Sequence, residues 1–308
     1  MLCIKNMRVR DIGMDGGHKM NRKITSILSA ISPLLTTKLM FQYNFHRKLD
    51  LKNPQNLNEK FQWLKLYAYY DNPVITTCVD KLKVKDYLSE RGYKDLLPQI
   101  YGMGGYEDAE EIRKHWSEYP DSFVIKCNHG SGYNILIKDK KSTSLDEIIK
   151  KLNIWVKEDY WKKYCEPQYK NVPHKILVEE YLGDDIHTYK FYCFNGKPRV
   201  AYISSNGENG EYDKYYDYFD MEWNWLPITL YPHQNSKIHP EKPKKLDEMI
   251  AIARDLSKEF PFVRVDLYNI DGVIKFSELT FIPTGGNMKL TPENVIDEWG
   301  GWLKLPMK

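Results

Sequence analysis

The chain has 308 residues, a formal charge of +3 and 28% charged residues, which suits a globular protein with a substantial core and gives no argument for a nucleic-acid binder. Its cysteines (Cys3, Cys78, Cys127, Cys165 and Cys193) are odd in number and show no C-x-x-C spacing, so reduced thiols in a cytosolic protein fit better than a disulfide framework. No uninterrupted apolar run reaches the roughly 20 residues that a spanning helix needs.

In chain order, residues 1–22 are polar and Gly-containing, without the apolar core of a signal peptide, and are expected to be a disordered leader. Residues 24–39 are apolar-rich but broken by Ser, Thr and Pro33, which predicts a helix pair or a bent helix packed on the body. Peripheral contact with a membrane is the lesser alternative for this stretch. Asn58 is the expected cap of a helix that begins at Glu59 and runs through FQWLKLYAYY. Residues 73–91 predict a further helix, closed by Gly92, which carries Lys81, Lys83 and Lys85.

A short β-branched strand at 122–126 (SFVIK) leads into CNHGSGYN and a second strand, ILIK. A Gly-rich turn between strands can fold over phosphates, because Gly130, Ser131 and Gly132 offer backbone N–H groups with little side-chain obstruction. Lys126 at the end of the first strand could reach an α- or β-phosphate. Alone this loop is a weak signal, since it lacks the third Gly of a dinucleotide fingerprint and no helix follows it. Residues 145–164 have helical spacing, and 175–182 (KILVEEYL) read as a third strand. Thr188 and Lys190 then share one face of a strand whose hairpin turn is Asn195-Gly196. The polar loop 206–213 precedes the aromatic stretch YYDYFDMEWNWLPI, read as sheet core ahead of a sugar platform. After a Pro-rich loop, 246–260 is an amphipathic helix, and Thr291-Pro292-Glu293 opens a last one.

Between those two helices lies FVRVDLYNIDGVIKFSELTFIPTGG, residues 262–286. It predicts a hairpin turning at Asn269-Ile270-Asp271-Gly272. Period-two alternation puts Arg264 and Asp266 on one face of the first strand, and Phe276, Glu278 and Thr280 on one face of the second. If those faces meet, two carboxylates and a guanidinium converge between apolar flanks. Two hard oxygen anions suit Mg²⁺ carrying a nucleotide's phosphates, and a neighbouring Arg suits phosphate oxygens that are being transferred.

Arg-x-Asp, a turn, Glu-x-Thr and then Pro-x-Gly-Gly resemble the metal-binding end of ATP-grasp ligases. The order Lys126, Gly-rich loop, hinge, Asp266, Glu278 is also theirs. In detail, residues 41–306 resemble the TupA-like ATP-grasp family, which is associated with bacterial surface polysaccharides, and LKNPQNLNEKFQWLKLY resembles that family's opening motif. The resemblance implies an α+β ATP-grasp fold in which two αβ subdomains clasp ATP. The smaller, with the Gly-rich loop, would occupy 101–182 and the larger, with the metal site, 183–308, behind an N-terminal helical region at 23–100.

Residue by residue, the resemblance implies Asp266 and Glu278 as Mg²⁺ ligands, with Thr280 where many relatives have a metal-binding Asn. Arg264 and Lys190 would be the catalytic cations facing the phosphates. Lys81 would be the first nucleotide lysine, with Lys83 and Lys85 as alternatives. The stretch Glu179, Glu180, Tyr181 and Leu182 would hold adenine, through backbone groups and the Tyr181 ring. Relatives place an acidic residue near Thr188 for the ribose, which leaves Asp185 or Asp184 to take that part here.

The activity implied is ATP-dependent ligation of a carboxylate and an amine through an acyl phosphate. The carboxylate would belong to a uronic acid of a surface glycan, and the amine to an amino acid or amino alcohol. The implied location is the cytoplasm, with or without attachment to the inner face of its membrane. A glycosyltransferase should show Asp-x-Asp, and a kinase His-Arg-Asp and Asp-Phe-Gly; the sequence has none of these. An inactive nucleotide-binding scaffold is the remaining rival, because Thr188 and Thr280 both depart from the pattern.

Overall fold

A computed structural model describes residues 21–184, 186–206 and 214–307, so residues 1–20 of the leader expected at 1–22, Asp185 and most of the 206–213 loop lie outside the described residues, while Asn21 and Arg22 of that leader instead cap and open the first helix. The chain divides into two compact units. Of the described residues, the first unit comprises Pro73–Trp161 and Gln168–Asp184, and the second comprises 21–72, Lys162–Pro167 and 186–307. The helical region expected at 23–100 therefore divides after Asn72, its first part in the second unit and its remainder in the first.

The chain begins with a helix pair, α1 (Arg22–Ile31) and α2 (Pro33–Phe45). Ser32 separates them: its hydroxyl accepts the Leu35 amide at 3.2 Å, and Pro33, lacking an N–H, is suited to the first helical position. The pair is amphipathic in the reverse of the usual sense. Thr25, Ser29, Thr36 and Thr37 are buried, while Ile24, Ile27, Ile31, Leu34, Leu35 and Leu39 are exposed, Ile31 to 74%.

Helix α3 (Leu57–Trp63) is capped by Asn56, not by the expected Asn58. Asn56 accepts the Glu59 amide while the Glu59 carboxylate reaches back, a reciprocal capping box. Asn58 is buried instead and exchanges two hydrogen bonds with the Met288 backbone, at 2.8 and 2.9 Å. The helix continues as a π-helical turn, Leu64–Ala68.

In the first unit the helix predicted at 73–91 is two, α4 (Pro73–Val79) and α5 (Val84–Glu90). The Asp80 carboxylate accepts the Leu82 amide at 2.8 Å and the Lys83 amide at 3.4 Å, capturing donors that a continuous helix would use. The sheet has the strands β1 (Ile100–Tyr106), β2 (Phe123–Cys127), β3 (Asn134–Ile137) and β4 (Ile176–Glu180), in the order β1-β4-β2-β3. Strand β1 is interrupted by glycines: Gly102, Gly104 and Gly105 all have positive φ, and its register against β4 is broken. Helices α6 (Glu110–Lys114) and α7 (Leu145–Trp155) belong to this unit. The helix expected at 145–164 stops at Trp155, and a separate short helix, α8, follows at Tyr160–Tyr164.

The second unit is built on a six-stranded sheet of β5 (Thr188–Phe194), β6 (Lys197–Ser205), β7 (Tyr215–Phe219), β8 (Trp225–Leu226), β10 (Phe262–Ile270) and β11 (Val273–Thr280). Their order is β11-β10-β5-β6-β7-β8, and a small ladder pairs β9 (Thr229–Leu230) with β12 (Leu290–Thr291). Helices α9 (Leu246–Ser257) and α10 (Asn294–Trp302) complete the unit. Tyr216, Tyr218 and Phe219 of the aromatic stretch are core as expected, whereas its Trp225 is exposed.

Candidate active site

The β10–β11 hairpin turns at Asp271 and Gly272, with φ of 56° and 93°, the left-handed values that a two-residue Asp-Gly turn requires. From there the ladder pairs Asp266 with Glu278 and Arg264 with Thr280, so the predicted faces do meet. A bulge between these pairs and the turn corrects one assignment. Leu267 pairs with Phe276, which leaves Ser277 as the extra residue and turns Phe276 to the apolar face with Leu279, away from Glu278.

On its other side β10 pairs with β5, placing Lys190 opposite Asp266. Lys190 in turn pairs with Tyr202 of β6. Glu278, Asp266, Lys190 and Tyr202 therefore form one rank across the sheet. Arg264 sits at its centre. Its Nε and Nη2 donate to the two oxygens of Asp266 at 2.7 and 2.6 Å, and Nη2 also reaches Glu278 at 3.2 Å and Thr280 at 3.0 Å. Its Nη1 donates to the Tyr202 hydroxyl at 3.2 Å. Lys190 Nζ donates to Ser204 Oγ at 2.7 Å.

Burial pushes Asp266 up to about 6, against the pull of Arg264, so it remains a carboxylate at neutral pH. Burial likewise opposes the charge of Arg264, but Asp266 overcomes it and holds the guanidinium protonated well above its ordinary range. Glu278, at the outer end of the rank, keeps 35% side-chain exposure. No group of three His, Cys, Asp or Glu side chains with metal-binding geometry occurs among the described residues. The donor set is two carboxylates and the Thr280 hydroxyl, which fits Mg²⁺: that ion commonly takes one or two protein carboxylates and completes its shell with water and phosphate oxygens.

A second charged cluster lies in the first unit. Glu179, 5% exposed, accepts from Lys85 at 2.7 Å and from Lys126 at 2.5 Å. Burial alone would raise its carboxyl, but Lys126 and Lys85 together bring it down to about 2. Two ammonium groups are thus fixed side by side on one carboxylate, a suitable support for neighbouring phosphates. Lys85, not Lys81, is the lysine placed with Lys126. The Lys81 ammonium is turned to the Gly130 carbonyl of the Gly-rich loop, and Asp80 holds the neighbouring Asn128 at 2.8 Å. Sequence spacing could not choose between these lysines, because the break at Asp80 decides which one faces the sheet.

Gly130 has no room for a side chain: a Cβ there would lie 2.5 Å from the Tyr160 ring. Gly132 has a φ of 82°, and Ser131 is exposed between them. Glu180 closes β4 by accepting the Gln99 amide at 3.2 Å, and Tyr181 and Leu182 follow half-buried. Asp184 is paired with Lys138, and Asp185 lies outside the described residues. Sequence reasoning missed Tyr202 and Ser204; pairing β5 with β6 from the Asn195-Gly196 turn would have found both.

A model of the TupA-like ATPgrasp family matches residues 59–304. No curated protein matches the chain. Among solved structures it is similar to D-alanine–D-alanine ligase from Helicobacter pylori, at 15% identity over 82% of this chain and 70% of that one, with a TM-score of 0.43. It is also similar to D-alanine–D-alanine ligase from Bacillus anthracis, at 17% identity over 74% of this chain, with a TM-score of 0.37; it spans 60% of that enzyme. A third likeness is to the ATP-grasp ligase PsnB complexed with a minimal precursor, Mg and ADP, at 10% identity over 92% and 75% of the two chains, with a TM-score of 0.41.

Proposed function

The chain belongs to the TupA-like ATP-grasp family, and from that membership we propose that it is an ATP-dependent carboxylate–amine ligase. The observation that carries the reading is the rank of Glu278, Asp266 and Lys190 around a four-partner Arg264. Such a site suits transfer of a γ-phosphoryl group, where charge gathers on oxygens that these side chains can surround. A carboxylate oxygen attacks the γ-phosphorus and ADP leaves, giving an acyl phosphate. The amine then attacks the carbonyl carbon and expels phosphate, and its surplus proton passes to solvent.

Asp266 and Glu278, with Thr280, would hold Mg²⁺, which when bound would supply positive charge to offset that of the nucleotide's phosphates. Arg264 and Lys190 would steady the transferring group, and Lys85 and Lys126 the rest of the phosphate chain. The loop at Gly130, Ser131 and Gly132 would cover that chain with backbone N–H groups. Glu180, Tyr181 and Leu182 would meet adenine. In keeping with the family's association with surface polysaccharides, the carboxylate is assigned to a uronic acid and the amine to an amino acid or amino alcohol. Analysis of the phosphorus products tests the reaction.

We also propose that α1 and α2 rest on an anionic membrane surface. No helix among the described residues is long and apolar enough to cross a membrane. The exposed apolar face of the pair is accompanied by Arg22, Lys23, Lys38, Arg47 and Lys48, with no Asp or Glu from 22 to 49. An exposed apolar face on a segment that carries cations and no acidic residue complements anionic headgroups.

A further inference from the structure

The Asn195-Gly196 turn that joins β5 to β6 forms one rim of an open cavity of about 570 Å³ in the second unit. Asn195 lies five residues beyond Lys190, about 17 Å along the chain at ordinary strand rise, so the cavity is separate from the rank around Arg264. The turn is held from two sides. The Asn195 side chain exchanges hydrogen bonds with the Lys304 backbone at 2.8 and 2.9 Å, and the Asn195 amide donates to the Pro261 carbonyl at 2.8 Å. Gly196, at φ of 75°, lies so near the end of α9 that a Cβ would stand 3.2 Å from the Lys258 Cα.

Four cations line the cavity: Lys197 and Arg199 from the start of β6, Arg254 from the last turn of α9 and Lys258 just beyond it. No acidic residue lines it. Asp255 pairs with Lys258, and the Arg199 guanidinium lies 5.8 Å from the centre of the Trp302 ring. Among the described residues, the side chains of Lys197 and Arg254 make no hydrogen bond and no ion pair. The negative end of α9 accounts for a cation at Arg254, but not for Lys197 and Arg199 on β6. Like charges gathered in this way repel one another, and a ligand of opposite sign relieves that repulsion.

The volume is that of a site for an extended small molecule rather than for a single inorganic ion. None of the lining residues exposes a large apolar side chain, which a membrane-inserting surface would need. Several carboxylates spaced along a polar chain match both features. We propose that this cavity binds the uronate carboxylates of an acidic glycan, gripping the acceptor chain away from the carboxylate that reacts. The inference rests on the ligase reading for the class of substrate, and deepens it by separating chain binding from chemistry. A second grip raises the effective concentration of the reacting carboxylate without touching it.

The test is calorimetric titration of the full chain, without nucleotide, with an oligogalacturonate, its fully methyl-esterified form and inorganic phosphate. The oligogalacturonate is expected to bind about tenfold or more tightly than the neutral ester, and less tightly as salt rises. Lys197→Gln with Arg254→Gln should lower that affinity about tenfold or more, while Lys197→Arg with Arg254→Lys should keep most of it. Both side chains are exposed, so neither double variant should shift the melting temperature or the affinity for a non-hydrolysable ATP analogue. No binding of the oligogalacturonate, equal binding of the ester, or phosphate binding as tightly would overturn the inference. Binding that survives in the Gln double variant and is lost in Lys190→Ala would overturn it too, by assigning the oligosaccharide to the catalytic rank alone. Retention on phosphatidylglycerol vesicles that the Gln double variant loses, with no oligogalacturonate binding, would assign the cations to a membrane. A marked fall in that variant's melting temperature would assign them to structure. Each of these results leaves the ligase reading standing, whereas failure of the ATP analogue to bind the wild type would count against that reading.

Discussion

Arg264 grips both carboxylate oxygens of Asp266, two residues further along the same strand, at 2.7 and 2.6 Å. The pair is buried, so Asp266 supports the fold as well as any metal. Asp266→Asn leaves Arg264 with only the outer Glu278 as counter-charge, and breaking a buried pair in this way costs ~3–5 kcal/mol. Glu278→Gln is the cleaner variant. Because Glu278 is partly exposed, its stability should stay within about 1 kcal/mol of wild type, with turnover down ~10²–10³-fold. Chemical denaturation and rate measurement at saturating Mg²⁺ check both; near wild-type turnover in Glu278→Gln would remove it from the metal site.

Lys85 and Lys126 should share the nucleotide's phosphates. ATP with Mg²⁺ should raise the melting temperature by linkage. Lys85→Ala and Lys126→Ala should each weaken nucleotide affinity about tenfold or more, ~1.4 kcal/mol per factor of ten. Lys81→Ala, which removes a contact to the Gly130 carbonyl and leaves the pair on Glu179 in place, should weaken it less. A larger loss in Lys81→Ala than in Lys85→Ala would return the nucleotide role to Lys81.

Glu179 gives the first unit a defined pH dependence. Its carboxyl falls from 4.5 to about 2 on folding, which corresponds to ~3 kcal/mol. With the folded value depressed, that stabilisation is complete above 4.5 and is lost as pH falls toward 2. Glu179→Gln should therefore be markedly less stable than wild type at neutral pH, and the gap should narrow below 4.5. Urea unfolding at neutral and acid pH measures it; a gap independent of pH would mean that the lysines do not stabilise the ionised form.

The hairpin was legible because its determinants are local. Asp-Gly fixes the turn, and period two then places Arg264, Asp266, Glu278 and Thr280 without further information. The bulge at Ser277 was not legible, since nothing in the alternation marks where one residue drops out of the ladder. Lys85 was hidden for a different reason. Its place follows from the Asp80 side chain competing with the helix, a contact that also depends on Asn128, far along the chain. Asn56 and Asn58 are both acceptable caps by composition, and only the long-range bonds of Asn58 to Met288 exclude it.

Membrane attachment through α1 and α2 should be visible by co-sedimentation. Vesicles rich in phosphatidylglycerol should retain the protein, high salt should reduce retention, and phosphatidylcholine vesicles should retain little. Replacing Ile27 and Ile31 together by Asp should abolish retention without loss of fold, since both side chains are exposed. Self-association that disappears in this double variant, with no vesicle binding in wild type, would assign the face to a second copy of the chain.

The central claim concerns which bond of ATP breaks, and phosphorus NMR of a turnover mixture reads it directly. The mixture would contain the protein, ATP, Mg²⁺, a uronic-acid oligosaccharide and hydroxylamine as the trapping amine. The account predicts ADP and orthophosphate, with a hydroxamate on the glycan. AMP with pyrophosphate, or a stable phosphate ester on the glycan, would contradict it.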